Sequence, residues 1–200
     1  MDQVIFNGVS FAARPGEVMM PREASEQLVA ATLRVLGSRS RDACVVDVGT
    51  GSGAIAVAIA AAAPSARVVA TDTSRCAVAL ARVNIYRHGL SDRVTVCHGD
   101  LLEPVEGPID LVVANLPYLP VGEADRYPDL TGEPAGAVFA GGDGLDPYRR
   151  LLAACADRLD DDAAVMIQLH RRVLAGTRAD LGALRAGVER FAPVPSLAAA

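Results

Sequence analysis

The stretch that decides the fold is Asp47-Val48-Gly49-Thr50-Gly51-Ser52-Gly53-Ala54. A compact apolar run from Cys44 to Val48 leads into it and predicts a buried strand. Strong helix formers follow from Gly53 to Ala63, and Pro64 then ends the pattern. Glycines between a strand and a helix let the backbone turn sharply and approach a ligand without a Cβ in the way. The stretch therefore predicts a strand, a ligand-binding turn and a helix.

The same alternation of strands and helices continues along the chain. Further helices are predicted over Ser74–His88 and Leu145–Leu159. The further predicted strands are Val68–Thr71, Val94–Cys97, Leu111–Ala114 and Ala163–Leu169. Parallel strands joined by helices form a sheet with helices on both faces. The sequence thus predicts a doubly wound α/β fold with a mostly parallel sheet.

A preface precedes the first strand of this sheet. Val4–Val18 alternates around Gly8 and Pro15 like an irregular hairpin, and Pro21–Leu36 has the pattern of a helix. We therefore expect residues 1–40 to form the preface and residues 41–200 to form the ligand-binding domain.

Composition excludes several classes of protein. The 200 residues carry a net charge of −5, and all 19 basic residues are arginine, which argues mildly against binding nucleic acid by charge alone. No apolar run reaches the roughly 18 residues that span a bilayer, and the start lacks a signal peptide pattern, so we expect a cytoplasmic protein without a membrane partner. The four cysteines and three histidines show no metal-ligand spacing, so we expect no metal site.

Acidic residues follow three successive predicted strands, at Asp47, Asp72 and Asp100. Asp72 is placed to accept hydrogen bonds from a ribose diol, and Asp100 from an adenine amino group. Asp47 beside the turn would repel a pyrophosphate, whereas it suits the sulfonium and amino group of S-adenosylmethionine. The predicted cofactor-binding residues are Asp47, Gly49, Thr50, Gly51, Gly53, Asp72, Thr73, Asp100, Leu101 and Asn115. Since Gly49-x-Gly51-x-x-Ala54 also fits the dinucleotide fingerprint, an NAD-linked oxidoreductase remains an alternative.

The most specific feature is Asn115-Leu116-Pro117-Tyr118, directly after the fourth predicted strand. The Asn115 side-chain oxygen and a neighbouring carbonyl offer two acceptors for the two hydrogens of a planar –NH₂ group, and Tyr118 offers a flat wall. Such an arrangement orients the nitrogen for in-line methyl transfer without an obligatory general base. Asn115, Pro117 and Tyr118 are therefore predicted to be catalytic, and Leu116, Pro117 and Tyr118 to contact the acceptor.

These motifs resemble the class I S-adenosylmethionine-dependent methyltransferases, with a Rossmann-like fold, and among them the HemK-like glutamine methyltransferases of release factors. The segments Met20–Glu26 and Gly141–Arg150 are similar to that family's Pro-Arg-x-x-Thr-Glu and Gly-Gly-x-Asp-Gly-Leu-x-x-Tyr segments. The resemblance implies S-adenosylmethionine as cofactor and a protein glutamine as acceptor, held by Asn115 and the Leu116 carbonyl. It also implies substrate contacts at Pro21 and Arg22.

Two departures keep alternatives open. Leu116 gives the tetrapeptide a form that resembles adenine-N6 methyltransferases acting on RNA, so a nucleic-acid acceptor, a small-molecule amine and a catalytically inactive protein all remain. After Leu169 the helix-like run Arg171–Val188 and two late prolines predict a shortened or missing C-terminal strand hairpin. An uncovered sheet edge invites pairing, so we expect a homodimer or an accessory subunit there.

Overall fold

The computed structural model describes residues 2–37, 42–130 and 132–169. Its longer helices are α1 (Glu23–Gly37), α2 (Ala54–Ala62), α3 (Arg75–Arg87) and α5 (Asp146–Arg158), with the short α4 at Ala135–Val138. Its strands are β1 (Asp2–Phe6), β2 (Val9–Ala13), β3 (Cys44–Val48), β4 (Arg67–Asp72), β5 (Val94–His98), β6 (Leu111–Ala114), β7 (Leu119–Pro120), β8 (Phe139–Ala140) and β9 (Ala164–Ile167). Two 3₁₀ turns lie at Val121–Arg126 and Pro128–Leu130.

A five-stranded parallel sheet organises the described part of the chain, in the order β5-β4-β3-β6-β9. The order reverses direction at the central strand β3, because β4 and β5 lie on one side of it while β6 and β9 lie on the other. In such sheets ligands bind beyond the carboxyl ends of the strands, at the point where the strand order reverses. The predicted doubly wound α/β fold is confirmed.

Alternating side chains of the strands build the core on both faces of the sheet. Val45 of β3 packs in the cluster that holds α2 and part of α1 and α3, whereas Val46 and Val48 pack in the cluster that holds α5. Helix α2 carries apolar residues on all sides and is therefore almost wholly buried. Both faces are covered, which explains the continuous apolar runs of the strands.

The preface is a tight antiparallel hairpin, β1 with β2, followed by α1. Phe6 and Phe11 meet edge to face and belong to the same core cluster as β3. The buried Asn84 of α3 accepts from the Ala12 N–H at 2.8 Å and donates to the Ala12 carbonyl at 3.1 Å. The hairpin is thus bound to the sheet domain, and the domain limits 1–40 and 41–200 stay predictions.

The remaining expectations concern features outside the sheet. The run Arg171–Val188 and the predicted shortened hairpin lie outside the described residues. None of the helices described is long and apolar enough to cross a membrane. Within the same ranges, His, Cys, Asp and Glu side chains form no group of three that could hold a metal ion, and all four cysteines are free thiols.

Candidate active site

The register of the sheet brings the two sequence motifs together. Val48 of β3 pairs with Ala114 of β6, so the residues that follow, Gly49 and Asn115, lie side by side at the carboxyl edge. The N–H of Gly49 donates to the Thr71 carbonyl of β4 at 2.9 Å, which anchors the glycine turn to the neighbouring strand. Motifs 66 residues apart in the chain therefore form one site.

A cavity of about 440 Å³ opens at this edge, a volume typical of small-molecule sites. Its wall includes most of the predicted cofactor residues: Gly49, Gly51, Asp72, Thr73, Asp100, Leu101 and Asn115. Asp47, Thr50 and Gly53, which we also expected to contact the cofactor, do not line it.

The expectation for Asp47 is corrected by the alternation of β3. Asp47 is fully buried and faces α2, where its Oδ2 accepts from the Thr50 hydroxyl at 2.6 Å and the Ala56 N–H at 3.2 Å. Its Oδ1 has no hydrogen-bond partner among the described residues, and burial raises the pKa of Asp47 to about 7. Asp47 thus stabilises the glycine turn from the side that faces α2, through its bonds to Thr50 and Ala56.

Thr50 and Gly53 also shape the turn from within. Thr50 is buried with its hydroxyl on Asp47, and its carbonyl accepts from the Gly53 N–H at 2.9 Å. Gly53 has a φ of 80°, and a Cβ there would lie 3.1 Å from Cα of Ala81 in α3. Glycine is required there for helix packing and left-handed geometry.

Asp72 lies at the end of β4 in the wall of this cavity. Its Oδ2 accepts from the Gly51 N–H at 2.9 Å and its Oδ1 from the Ser74 N–H at 2.8 Å. Desolvation raises the pKa of Asp72, although these hydrogen bonds oppose the shift. Each carboxylate oxygen keeps a second lone pair, so Asp72 can still accept hydroxyl hydrogens of a ribose.

Asp100 and Arg150 form an ion pair at the rim, and both line the same cavity. Leu101 next to Asp100 has a φ of 48°, and its carbonyl accepts from the Thr71 hydroxyl at 2.9 Å. This left-handed residue turns the chain after β5 so that Asp100 stays at the rim. Side-chain-free glycine backbone, two carboxylates and a cavity of this size fit a ligand with hydroxyls, amino groups and a positive charge, such as S-adenosylmethionine.

A second cavity of about 270 Å³ adjoins the first and is lined by the tetrapeptide. Asn115, Leu116 and Pro117 line both cavities, whereas Tyr118 lines only the second. The Asn115 Nδ2 donates to the hydroxyl of Ser25 in α1 at 3.0 Å, and within the described ranges its Oδ1 accepts no hydrogen bond. Asn115 therefore offers an unsatisfied acceptor at the junction of the two cavities.

The fully buried Tyr148 of α5 holds the next residue of the tetrapeptide. Its hydroxyl lies 2.6 Å from the Gln168 carbonyl, 3.0 Å from the Leu116 N–H and 3.1 Å from the Leu116 carbonyl. A hydroxyl donates only one hydrogen, and the shortest contact goes to Gln168. Tyr148 can thus accept from Leu116 while the Leu116 carbonyl keeps capacity for another donor.

The Pro-Arg segment reaches the second cavity through Arg22. This side chain lines the cavity and pairs with Glu133 at 3.0 Å, and the Met20 N–H donates to the same carboxylate at 3.2 Å. Burial raises the pKa of Tyr118, so this ring stays neutral beside Arg22. Pro21, also expected to contact substrate, does not line either cavity.

Sequence reasoning missed several residues of the site, although signals for some were present. Ser25 and Tyr148 fall inside the two segments already singled out, but their roles depend on partners 90 and 32 residues away. Arg150 also falls inside the second of these segments, and the other missed residues are Val18, Met19, Arg126, Tyr127 and Glu133.

The doubly wound sheet, the glycine turn and the tetrapeptide at the sheet's carboxyl edge together define a class I methyltransferase fold. The chain belongs to the family described as the methyltransferase small domain, whose family model matches residues 23–127, more than half of its length.

Curated relatives carry more specific names. The chain is 39% identical over 170 residues to the release factor glutamine methyltransferase of Moorella thermoacetica, an alignment that covers 82% of this chain and 58% of that protein. It is 35% identical over 111 residues to the ribosomal protein uL3 glutamine methyltransferase of Neisseria meningitidis, which covers 54% of this chain and 37% of that protein. The chain thus spans less than two thirds of the length of these relatives.

Solved structures share the fold. The hMettl16 catalytic domain superposes with a TM-score of 0.67 at 17% identity, covering 88% of this chain and 64% of that chain. The ribosomal protein L11 methylase of Lactobacillus delbrueckii superposes with a TM-score of 0.55 at 22% identity, covering 86% and 70%.

Proposed function

We propose that this chain transfers a methyl group from S-adenosylmethionine to the side-chain amide nitrogen of a protein glutamine. The observation that carries the proposal is the position of Asn115, which lines both cavities. Its Nδ2 is anchored on Ser25, and none of the residues the structure describes donates to its Oδ1. The two curated relatives named above are both glutamine methyltransferases, which supports the choice of acceptor.

The residues of the larger cavity would hold the cofactor, which supplies an electrophilic methyl group on a sulfonium. Asp72 would accept from the ribose and Asp100 from the adenine amino group, while Gly49 and Gly51 let the backbone approach closely. Asp100 is paired with Arg150, so this ion pair must share the rim with the adenine.

The tetrapeptide would hold the acceptor. Oδ1 of Asn115 and the Leu116 carbonyl accept one hydrogen each from the glutamine –NH₂, and Tyr118 contacts the amide plane. Both bonds strengthen as positive charge develops on the nitrogen, so the stabilisation is greatest in the transition state. Bound S-adenosylmethionine would supply the methyl group, with the N–C bond formed at the expense of the S–C bond. The amide nitrogen, held by Asn115 and the Leu116 carbonyl, would pass its surplus proton to water.

The first test measures transfer of labelled methyl groups to two purified candidates, a release factor and ribosomal protein uL3. The second test labels a cell extract and then digests it with protease or with nuclease. The proposal expects label that protease releases and that maps to a glutamine. Label released by nuclease would establish an adenine acceptor instead. Cofactor binding without any incorporation would leave a small-molecule acceptor or an inactive protein.

Asn115→Ala tests the assigned mechanism. We expect loss of transfer with cofactor affinity nearly unchanged, because one acceptor for the –NH₂ group disappears. Asn7→Gly, in an exposed left-handed turn, is the matched control and should retain full activity. Equal activity of Asn115→Ala and wild type would contradict the assigned role.

Two further expectations belong to this proposal. The first is a cytoplasmic location, which would place the enzyme in the same compartment as its proposed substrates, release factors and ribosomal proteins. A homodimer or accessory subunit at the sheet edge would raise the mass measured by light scattering, and a monomer at micromolar concentration would contradict it.

A further inference from the structure

Ser25 lies in the first turn of α1, and its hydroxyl is in contact with the proposed catalytic amide. We infer that Ser25 is a positioning residue, which holds the Asn115 amide at the junction of the two cavities. This inference rests on the proposed function and extends it to a residue of the N-terminal segment.

The orientation of the Asn115 amide matters for the proposed reaction. The oxygen and nitrogen ends of an asparagine side chain have nearly the same shape, but one accepts and the other donates hydrogen bonds. An acceptor –NH₂ group presents two donors, so only the oxygen end of Asn115 can hold it. The opposite orientation would set two donors against each other.

In the structure the Asn115 amide has the productive orientation. Because a serine hydroxyl can donate as well as accept, the contact with Ser25 fixes the position of the amide and does not by itself decide which end faces the cavities. Nδ2 of Asn115 donates to Oγ of Ser25 at 3.0 Å, which leaves Oδ1 at the junction of the two cavities. Ser25 is only 3% exposed, so water does not compete easily for this bond. The positive sulfonium of a bound cofactor would favour the same orientation, with oxygen toward the cavities.

Neighbouring contacts hold Ser25 in place. Its N–H donates to the Arg22 carbonyl at 2.9 Å, and the Arg22 side chain is paired with Glu133. Glu133 also accepts from the Met20 N–H and is only 9% exposed in its side chain. The segment before α1 is thereby attached to the loop that lines the acceptor cavity.

The experiment compares Ser25→Ala, Ser25→Thr and Thr32→Val with wild type, using a purified release factor as acceptor. For Ser25→Ala we expect kcat to fall about 10- to 30-fold while KM for the release factor changes little, because the Asn115 amide loses its anchor and the contacts that bind the release factor are kept. Ser25→Thr keeps a hydroxyl and should recover most of kcat. Thr32→Val removes another buried hydroxyl of the same helix, bonded to the Leu28 carbonyl, and should leave kcat unchanged.

A second readout does not depend on activity. The side-chain –NH₂ resonances of Asn115, identified by their absence in Asn115→Ala, should shift in Ser25→Ala and keep their positions in Thr32→Val. Unshifted resonances in Ser25→Ala, or an active wild type whose kcat Ser25→Ala leaves intact, would overturn the positioning role. A wild type that is inactive on both the release factor and ribosomal protein uL3 would instead overturn the proposed function, and the inference with it.

Discussion

Tyr148→Phe is the substitution with the most informative outcome, because it removes one oxygen atom and no packing volume from the core. The Tyr148 hydroxyl is fully buried and contacts the Leu116 N–H, the Leu116 carbonyl and the Gln168 carbonyl. It therefore connects α5 to the residues that follow β6 and β9. We expect the variant to fold with lower stability and a displaced tetrapeptide.

The magnitude follows from these contacts. Each lost hydrogen bond removes about 1 kcal/mol, and an unsatisfied buried donor such as the Leu116 N–H costs about 1–3 kcal/mol. Since these contributions overlap, we expect the free energy of unfolding to fall by about 2–3 kcal/mol. For a chain of this size each kcal/mol lowers Tm by about 2–4 °C, so the expected decrease is about 4–12 °C.

Urea unfolding followed by circular dichroism measures the effect, with Tyr86→Phe as the matched control. Tyr86 is 77% exposed on α3, so its substitution should change stability by less than about 0.5 kcal/mol. A transfer assay should also show a lower kcat for Tyr148→Phe, because the Leu116 N–H loses its acceptor and the tetrapeptide its fixed position. Equal urea midpoints for the two variants would refute the reasoning.

Two more substitutions test the loop and the turn. Gly144 has a φ of 88°, and Gly144→Ala places a Cβ against the Tyr118 carbonyl, so we expect kcat to fall at least tenfold. Gly122→Ala is the control: a Cβ there meets open space, and kcat should not change in the same assay. Asp47 has a pKa of about 7 in the folded protein against about 4 when unfolded, so it stabilises the fold below pH 4 and this stabilisation is lost as the pH rises through 7. The urea midpoint of Asp47→Asn should therefore decrease less between pH 5 and pH 8 than that of wild type. An equal decrease in both proteins would show that Asp47 is not the source of this pH dependence.

Local patterns predicted the main elements well because each has a local cause. The prediction for β3, Cys44–Val48, matches the structure, and the predicted helix Ser74–His88 ends at the two residues that cap α3. The Ser74 hydroxyl accepts from the Ala77 N–H, a short-range contact that a sequence pattern can indicate.

Contacts between distant residues explain what local patterns could not predict. Asp47 was expected to face the cofactor, but which face of β3 is covered by α2 depends on the assembled sheet. The stretch between Asn115 and Gly144 contains a parallel pair, β7 with β8, of two residues each, too short to show a period. Arg22 and Glu133 pair across 111 residues, with no local signal for the contact.

The composition of the larger cavity wall has a consequence for synthesis on the ribosome. Val18 and Met19 lie at one side of that wall, and Pro147 and Arg150 at another, so the wall combines early and late parts of the chain. A nascent chain shorter than about 150 residues lacks part of this wall. A ligand that binds only the completed wall stabilises finished chains by mass action and leaves shorter nascent ones without that protection.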